Sequence, residues 1–493
     1  MNADFIITCT FFVYLSVMVA VGWLAYRRTN NLSDYILGGR NLGPWATAIS
    51  AGASDMSAWL LMGLPGAAYI SGISAVWIAV GLLLGTWLNW RWMAPRLRVY
   101  TFQASDSLTL PEFLEHRFHT TGHALRLVSA AFILFFFLFY TASGLVAGGK
   151  LFETVFGVPY PLAVCIGTFA IISYTILGGF LAVCWTDLIQ GLMMAAALLV
   201  LPIVAIGEMG GIGNTLENIQ SLNPHLLQIR IDAATGNSLQ GLAVISSMAW
   251  GLGYFGQPHI LARFSAIRSL KDLPTARRIA VTWTGITLIC SVLIGLIGFA
   301  RFGTEVADPE SIFMLLVNSL FHPVIAGILL AAILAAVMST ADSQLLVCSA
   351  AFTEDITRCL LRRDFSQKAL VRLGRLTVVV IAGAAMFMAL RDEKTVLALV
   401  GQAWAGFGAT FGPVLLFSLY WKRCTATGAI SGMITGGLIV ILWGRAQGGL
   451  FDLYEIVPGF FFSCLAILIG SYLSPPPSPE IEAEFLTMSD SCS

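Results

Sequence analysis

Runs of about 20 apolar residues recur along almost the whole chain, and that recurrence leaves few folds open. A run of this length crosses the hydrocarbon of a bilayer as one helix. Lipid offers no hydrogen bonds, so the backbone of each crossing must satisfy itself, which a helix does and an isolated strand cannot. The runs are read at 5–25, 44–72, 74–94, 124–150, 161–178, 187–207, 238–258, 279–300, 322–350, 371–390, 395–419, 427–444 and 454–473. Charged residues make up only 11% of the 493, less than half the share of about 25% usual in a soluble domain. The expected fold is all-α, a polytopic membrane protein with 13 transmembrane helices set in a lipid bilayer.

Net charge is zero and says nothing about partners, but the placement of the positive charges does. With the N-terminus outside, the inner loops hold 21 of the 27 Lys and Arg residues, among them Arg27, Arg28, Arg40, Arg96, Arg117, Arg126, Arg263, Arg362 and Arg363. Lys150, Arg230, Arg301, Arg391, Lys394 and Arg445 are left for the outer ends. The positive-inside rule therefore predicts N-out and C-in. The first span lacks a basic leader and a small-residue cleavage site, so it is read as a membrane helix and not as a signal peptide.

Three motifs invite other functions and fail on context. "GLVAGGKL" (144–151) has Leu151 where a phosphate loop needs Ser or Thr, and it ends a span. "GLGYFG" (251–256) fits a dinucleotide fingerprint but follows no strand. His116, His119 and His123 in "HRFHTTGH" fit a solvated loop better than a metal site. No ATP-driven or nucleic-acid machinery, cofactor or obligate protein partner is expected. The nine cysteines form no C-x-x-C pair and are read as small apolar residues. The Pro-rich, acidic end, 474–493, is expected to be a disordered cytoplasmic tail.

One carboxylate breaks the apolar pattern. In "SAGASDMSAWLLMGLPG" (50–66), Asp55 is the only charged side chain between Arg40 and Arg91, with Gly52, Gly63, Pro65 and Gly66 around it. A carboxylate at a helix centre costs about 2.5–3.5 kcal/mol on insertion scales and usually marks an ion or substrate path. A second span, 243–264, crowds Gly251, Gly253, Gly256 and Pro258 into about two turns of helix. A third, 326–352, carries Ser339, Thr340, Asp342 and Ser343 in an aliphatic setting. Helices broken at midplane offer backbone carbonyls, and Ser and Thr add hydroxyls, which is the oxygen-rich shell a hard cation such as sodium takes. Two broken helices opening two five-span units, near 44–207 and 238–419, suggest an inverted repeat. Helices 5–25, 427–444 and 454–473 then stand outside that core, within a single transporter domain 1–473. For Asp187 and Asp342, snorkelling to the inner surface or helix capping competes equally with a functional role.

These stretches, with "GGFLAVCWTD" (178–187), "WGLGYFGQPHILARF" (250–264), "ILAAVMST" (333–340), "DYILGGRNLGPWATAIS" (34–50) and "YEIVPGFFF" (454–462), resemble the sodium/solute symporter family, and most of all its proline-carrying branch. The resemblance runs through nearly the whole chain. It implies a LeuT-like 5+5 inverted-repeat core and a sodium ion between the second and ninth spans. The matching sodium positions are the backbone oxygens of Ala53, Met56 and Ala336 and the hydroxyls of Ser339 and Thr340. Asp55 matches the family's essential acidic residue, and Arg40 and Asp187 match polar positions used in coupling and ion release. Substrate contacts carry over to Ser57, Tyr140, Trp250, Tyr254 and Pro258. The chain departs from the pattern at Ala58, where glycine is usual and where the methyl would face the substrate, and at Ala75, where an acidic residue stands in a relative.

The implied function is sodium-coupled import (symport) of L-proline across a bacterial inner membrane by alternating access, and not an enzymatic reaction. The alternative is the same fold and ion with another small zwitterionic or carboxylate solute. A membrane enzyme using Asp55 and Asp187 as an acid pair is disfavoured, because the two are read at different depths.

Overall fold

The secondary structure of the described residues is helical apart from two isolated bridges, Leu42 with Ile267 and Ile231 with Ser238. The structure, a computed structural model, describes residues 3–26, 36–176, 179–361, 366–391 and 395–492. Arg27, Arg28, Asp34, Tyr35, Gly178, Arg362, Arg363 and Lys394 lie outside the described residues. Ten helical runs among those described are long and apolar enough to cross a membrane. One, Trp59–Gln103, contains about half of the second expected span and all of the third. Gly72 turns the chain within it at φ +72°, where a Cβ would fall 2.7 Å from the Leu226 carbonyl oxygen, so only glycine fits. Three shorter apolar helices complete the set. Tyr160–Ser173 and Gly241–Gly256 fall on expected spans, whereas Pro309–Leu320 lies in a stretch read as a connection.

Burial separates centre from rim. Within the apolar windows of Pro323–Thr357 and Val396–Tyr420, 83% of residues are buried, against 28% for Asp4–Leu24 and 33% for Ile456–Leu473. The outer two leave most of their residues uncovered by protein; the inner two are largely enclosed by it.

Both helices expected to break do so. The helix Pro44–Asp55 stops at Met56, whose φ −84° and ψ 75° are not helical, and a new helical segment begins at Trp59. The helix Gly241–Met248 tightens into a 3-10 segment Ala249–Gly256, stops at extended Gln257, and restarts with Pro258 as the first residue of Pro258–Ala266. Proline suits that position because its missing N–H would be unpaired there anyway. Glycine makes the close crossings. A Cβ at Gly85 would sit 2.2 Å from the Gly251 carbonyl oxygen, so Val76–Leu88 and the broken helix meet backbone to backbone.

The C-terminal end differs from its expectation. Residues 479–491 form a helix capped by Ser478, whose hydroxyl accepts the Ile481 N–H. Ile481, Phe485 and Met488 recur every three or four residues and are buried against Ala94–Gln103. Phe485 covers Arg117, Glu484 pairs with His119 at 3.0 Å, and Glu482 lies 3.8 Å from Lys422. A disordered tail was expected from proline and charge content. Glu482 and Glu484 instead face basic partners, while the three apolar side chains form one stripe. Arg117 is fully buried below this helix, packed on Tyr100 and Phe118, and burial lowers its pKa from the usual guanidinium value.

The decoy motifs resolve into ordinary packing. Lys150 pairs with Asp308 (2.9 Å) and Glu310 (2.7 Å). His116, His119 and His123 turn to three different partners, Ser107, Glu484 and Glu115.

Candidate functional site

The first break leaves the Asp55 carbonyl at the end of its helix, and three donors converge on it. These are the Ser57 N–H at 3.0 Å, the Trp59 indole N–H at 3.2 Å and the Tyr140 hydroxyl at 3.2 Å. The Asp55 carboxylate is 2% exposed; its Oδ2 accepts the Tyr254 hydroxyl at 2.5 Å, and its Oδ1 accepts no hydrogen bond. Tyr254 belongs to the 3-10 part of the second broken helix, so Asp55 joins the two breaks directly. A buried carboxylate oxygen without a donor is costly to keep in apolar surroundings, and it marks where a cation or N–H group from a ligand is best received.

On the other face of the first break, the Ala53 carbonyl accepts the Ser339 hydroxyl at 2.8 Å and lies 3.5 Å from the Thr340 hydroxyl. Ser339 Oγ also reaches the Ala336 carbonyl at 3.2 Å. Four of the five oxygen positions expected for sodium are thus within one small cluster of hard oxygens. The fifth residue, Met56, sits in the break itself, with its sulfur accepting the Thr287 hydroxyl at 3.5 Å.

Asp187 and Asp342 do not snorkel, since both are wholly buried. Asp187 Oδ2 accepts Ser50 Oγ at 2.6 Å, Ser54 Oγ at 3.0 Å and Arg263 Nη2 at 3.1 Å. Arg263 also donates to Ser343 Oγ at 2.6 Å, to Ser50 Oγ at 3.1 Å and to the His259 carbonyl at 2.7 Å. The charge pattern predicts Arg263 in an inner loop; it is instead 1% exposed at the centre of this network. One signal was available: arginine inside "PHILARF" follows a helix-starting proline, so it lies on a helix continuing from a span. The network ties the helix Pro44–Asp55, the segment Pro258–Ala266, the helix Phe180–Glu208 and the helix Pro323–Ala350 into one unit.

Arg40 lies apart from these groups. It donates to Thr101 (3.2 Å), the Ser265 carbonyl (2.9 Å) and the Ser107 carbonyl (2.8 Å), and it pairs with Asp106 at 2.7 Å. It thus clamps the end of the segment Pro258–Ala266 to the loop after Ala94–Gln103.

The expected substrate residues divide. Ser57 and Ala58 are buried in the first break, and Tyr140 and Tyr254 contact Asp55. Trp250 lies next to Trp59, ring centroids 6.4 Å apart, and borders a cavity of about 560 Å³. Pro258 borders a different cavity, on the side of Arg263 and Asp355. Trp59 and Trp404 were not singled out, yet the Trp404 indole N–H holds the Trp250 carbonyl at 2.7 Å. Local sequence could not indicate that contact, 154 residues apart.

Residues 35–436 match the model of the sodium:solute symporter family over most of the chain. The chain belongs to the sodium:solute symporter family. Among curated relatives of this symporter, the high-affinity proline transporter PutP of Bacillus subtilis is 50% identical over 480 residues, covering 97% of this chain and 100% of the relative. The sodium/proline symporter of Escherichia coli is 50% identical over 483 residues (97% and 95%), and the osmoregulated proline transporter OpuE of Bacillus subtilis is 49% identical over 472 (94% and 94%). The fold is that of a Na+-coupled sialic acid symporter in a substrate-bound outward-open state, TM-score 0.79 at 21% identity over 97% of this chain and all of that one. Mhp1, a nucleobase-cation-symport-1 family transporter, shares it more distantly, at TM-score 0.54 and 14% identity over 93% and 99%. The expected all-helical, LeuT-like architecture is therefore correct for this symporter.

Proposed function

We propose that the protein is a sodium-coupled L-proline importer of the bacterial inner membrane, working by alternating access with its N-terminus outside and its C-terminus in the cytoplasm. The observation that carries the substrate is the identity of about half the residues, over nearly the full length, with relatives named as proline transporters. Sodium occupies the oxygens of Ala53, Met56, Ala336, Ser339 and Thr340. The proline lies beside Asp55 between the two breaks, against Ser57, Ala58, Tyr140, Trp250, Tyr254 and Pro258. The core is two repeats, near 44–207 and 238–419.

Asp55 accounts for coupling in this reading. It ends the helix that supplies the Ala53 carbonyl, and its carboxylate is held by Tyr254 of the opposite break. An ion drawing on Ala53 therefore sets the helix end on which Asp55 and Ser57 are presented. Coupling requires each ligand to favour the state the other binds, and one short break shared by both sites provides that. One sodium per proline suffices energetically. A charge moving through 100 mV supplies about 2.3 kcal/mol, roughly a 50-fold accumulation before the sodium gradient is counted. Asp187, Arg263 and Arg40 hold the inner ends of the moving segments and part when the inner side opens.

Uptake of labelled proline into proteoliposomes tests the reading. A sodium gradient directed inward drives accumulation, and replacing sodium with choline abolishes it. Uptake that ignores sodium, or that other zwitterions outcompete at lower concentration than proline, overturns it.

A further inference from the structure

We infer that Tyr454, two residues ahead of the peripheral helix Ile456–Leu473, positions Trp250 and acts as the outer lid of the binding pocket. The inference rests on the reading of Trp250 as a substrate contact. The Tyr454 ring is stacked on Trp250, with centroids 5.3 Å apart and planes 23° from parallel. It is fixed at two points: its hydroxyl donates to the Gly401 carbonyl at 2.6 Å, and its N–H donates to Ser246 Oγ at 3.0 Å. Gly401 makes room for the stack. A Cβ there would lie 3.3 Å from two carbons of the Trp250 ring and 3.8 Å from the Tyr454 hydroxyl.

The stack separates two regions. Outside it is the cavity of about 560 Å³, with Gly401, Gln402, Tyr454 and Glu455 in its walls. Inside it are Asp55, Tyr140 and Tyr254, each at most 2% exposed. Between them lie Trp250 and Trp59, whose indole N–H holds the Asp55 carbonyl. The Trp250 backbone is pinned by Trp404, so a solute passing from the cavity to Asp55 has to displace the Trp250 ring. That ring cannot swing outward without unstacking from Tyr454. The helix behind Tyr454 packs mainly on Val396–Tyr420 and Ala426–Trp443, outside the broken helices. A residue just ahead of a supporting helix thereby sets how long the pocket stays closed over its ligand.

The test uses the full-length protein in proteoliposomes, as wild type, Tyr454→Phe, Tyr454→Ala and Trp250→Ala. Readouts are the proline KM and Vmax, the sodium requirement at saturating proline, and the release rate of pre-bound labelled proline. Tyr454→Phe keeps the stack and loses the bond to Gly401, so the proline KM rises about five-fold, as for one lost hydrogen bond. Tyr454→Ala frees Trp250, raises KM at least as much and speeds release, while Vmax stays within about two-fold of wild type. The sodium requirement is unchanged in both. If Tyr454→Ala has wild-type KM and release while Trp250→Ala raises KM, the lid is overturned and the pocket assignment stands. A wild-type KM in Trp250→Ala, or no sodium-driven uptake by wild type, overturns the pocket assignment and the lid with it. Parallel loss of KM, Vmax and sodium response assigns Tyr454 a structural role only and overturns the lid. Should Tyr454→Ala fail to insert, an unchanged KM and release rate in Tyr454→Phe overturns it.

Discussion

A single carboxyl group is the most demanding residue in this symporter. Asp55 is buried, half its carboxylate takes one tyrosine hydroxyl, and the other half accepts nothing. Asp55→Asn removes the charge and makes insertion easier, so the variant should reach the membrane at wild-type levels and show no sodium-driven uptake. Near-normal uptake by a well-inserted variant removes Asp55 from the mechanism. At the ion cluster, Thr340→Val keeps the shape and deletes one oxygen. The half-saturating sodium concentration should rise about ten-fold, equivalent to about 1.4 kcal/mol, while discrimination between proline and other amino acids stays as it was. A shifted discrimination with unchanged sodium dependence would place the ion elsewhere. Arg263 poses a stability question. Arg263→Met leaves Asp187 buried without its cation, a change that costs about 3–5 kcal/mol. Thermal unfolding in detergent should show a marked loss of Tm, and Asp187→Asn in the same chain should restore most of it.

Elements are joined here by what each lacks as much as by what it carries. Glycine at 81, 85 and 251 lets helices touch backbone to backbone, and the breaks at Met56 and Gln257 expose groups a continuous helix would have used. The C-terminal helix works the other way, adding a ring where the bundle has an uncovered cation. Phe485 lies over Arg117, which donates one hydrogen bond from its Nε to the Ser418 carbonyl and none through Nη1 or Nη2. Phe485→Ala removes the largest of three buried apolar side chains of this 13-residue helix, a loss of about 3 kcal/mol or more, enough to loosen its docking. Limited proteolysis should then cut near residues 474–478 in the variant and spare the wild type. Equal resistance of both would show that Ile481, Met488 and the charged contacts hold the helix without Phe485.

For the whole molecule, the charge pattern predicts an orientation. Most Lys and Arg residues fall on one side of the predicted spans, so an epitope tag after the last residue should be reached by antibody only once cells are permeabilised. Labelling of intact cells would invert the topology and exchange the inner and outer cavities.

How much of this was legible beforehand depends on the range of the interaction. The spans, the two breaks and the buried acid are local matters: hydropathy, glycine and proline spacing, and a charge out of place, each read within about 20 residues. Ser339 and Thr340 were legible because two adjacent hydroxyls in an aliphatic run have few structural uses. Arg263 was misplaced because a cation near a span end reads as a loop residue. Only its pairing with Asp187, 76 positions away, shows it to be buried. The tail was misread because proline and acid content describe a free chain, whereas Ile481, Phe485 and Met488 find their surface only once Ala94–Gln103 and Lys422 are in place. Sequence by itself determined that the chain crosses a membrane, where its helices fail and which acid it buries, because lipid penalises local errors of polarity residue by residue. Tertiary structure decided which oxygens share a cluster, which cation meets Asp187 and which ring stacks on Trp250. Those contacts join residues far apart in sequence, and their energy exists only after the helices have met.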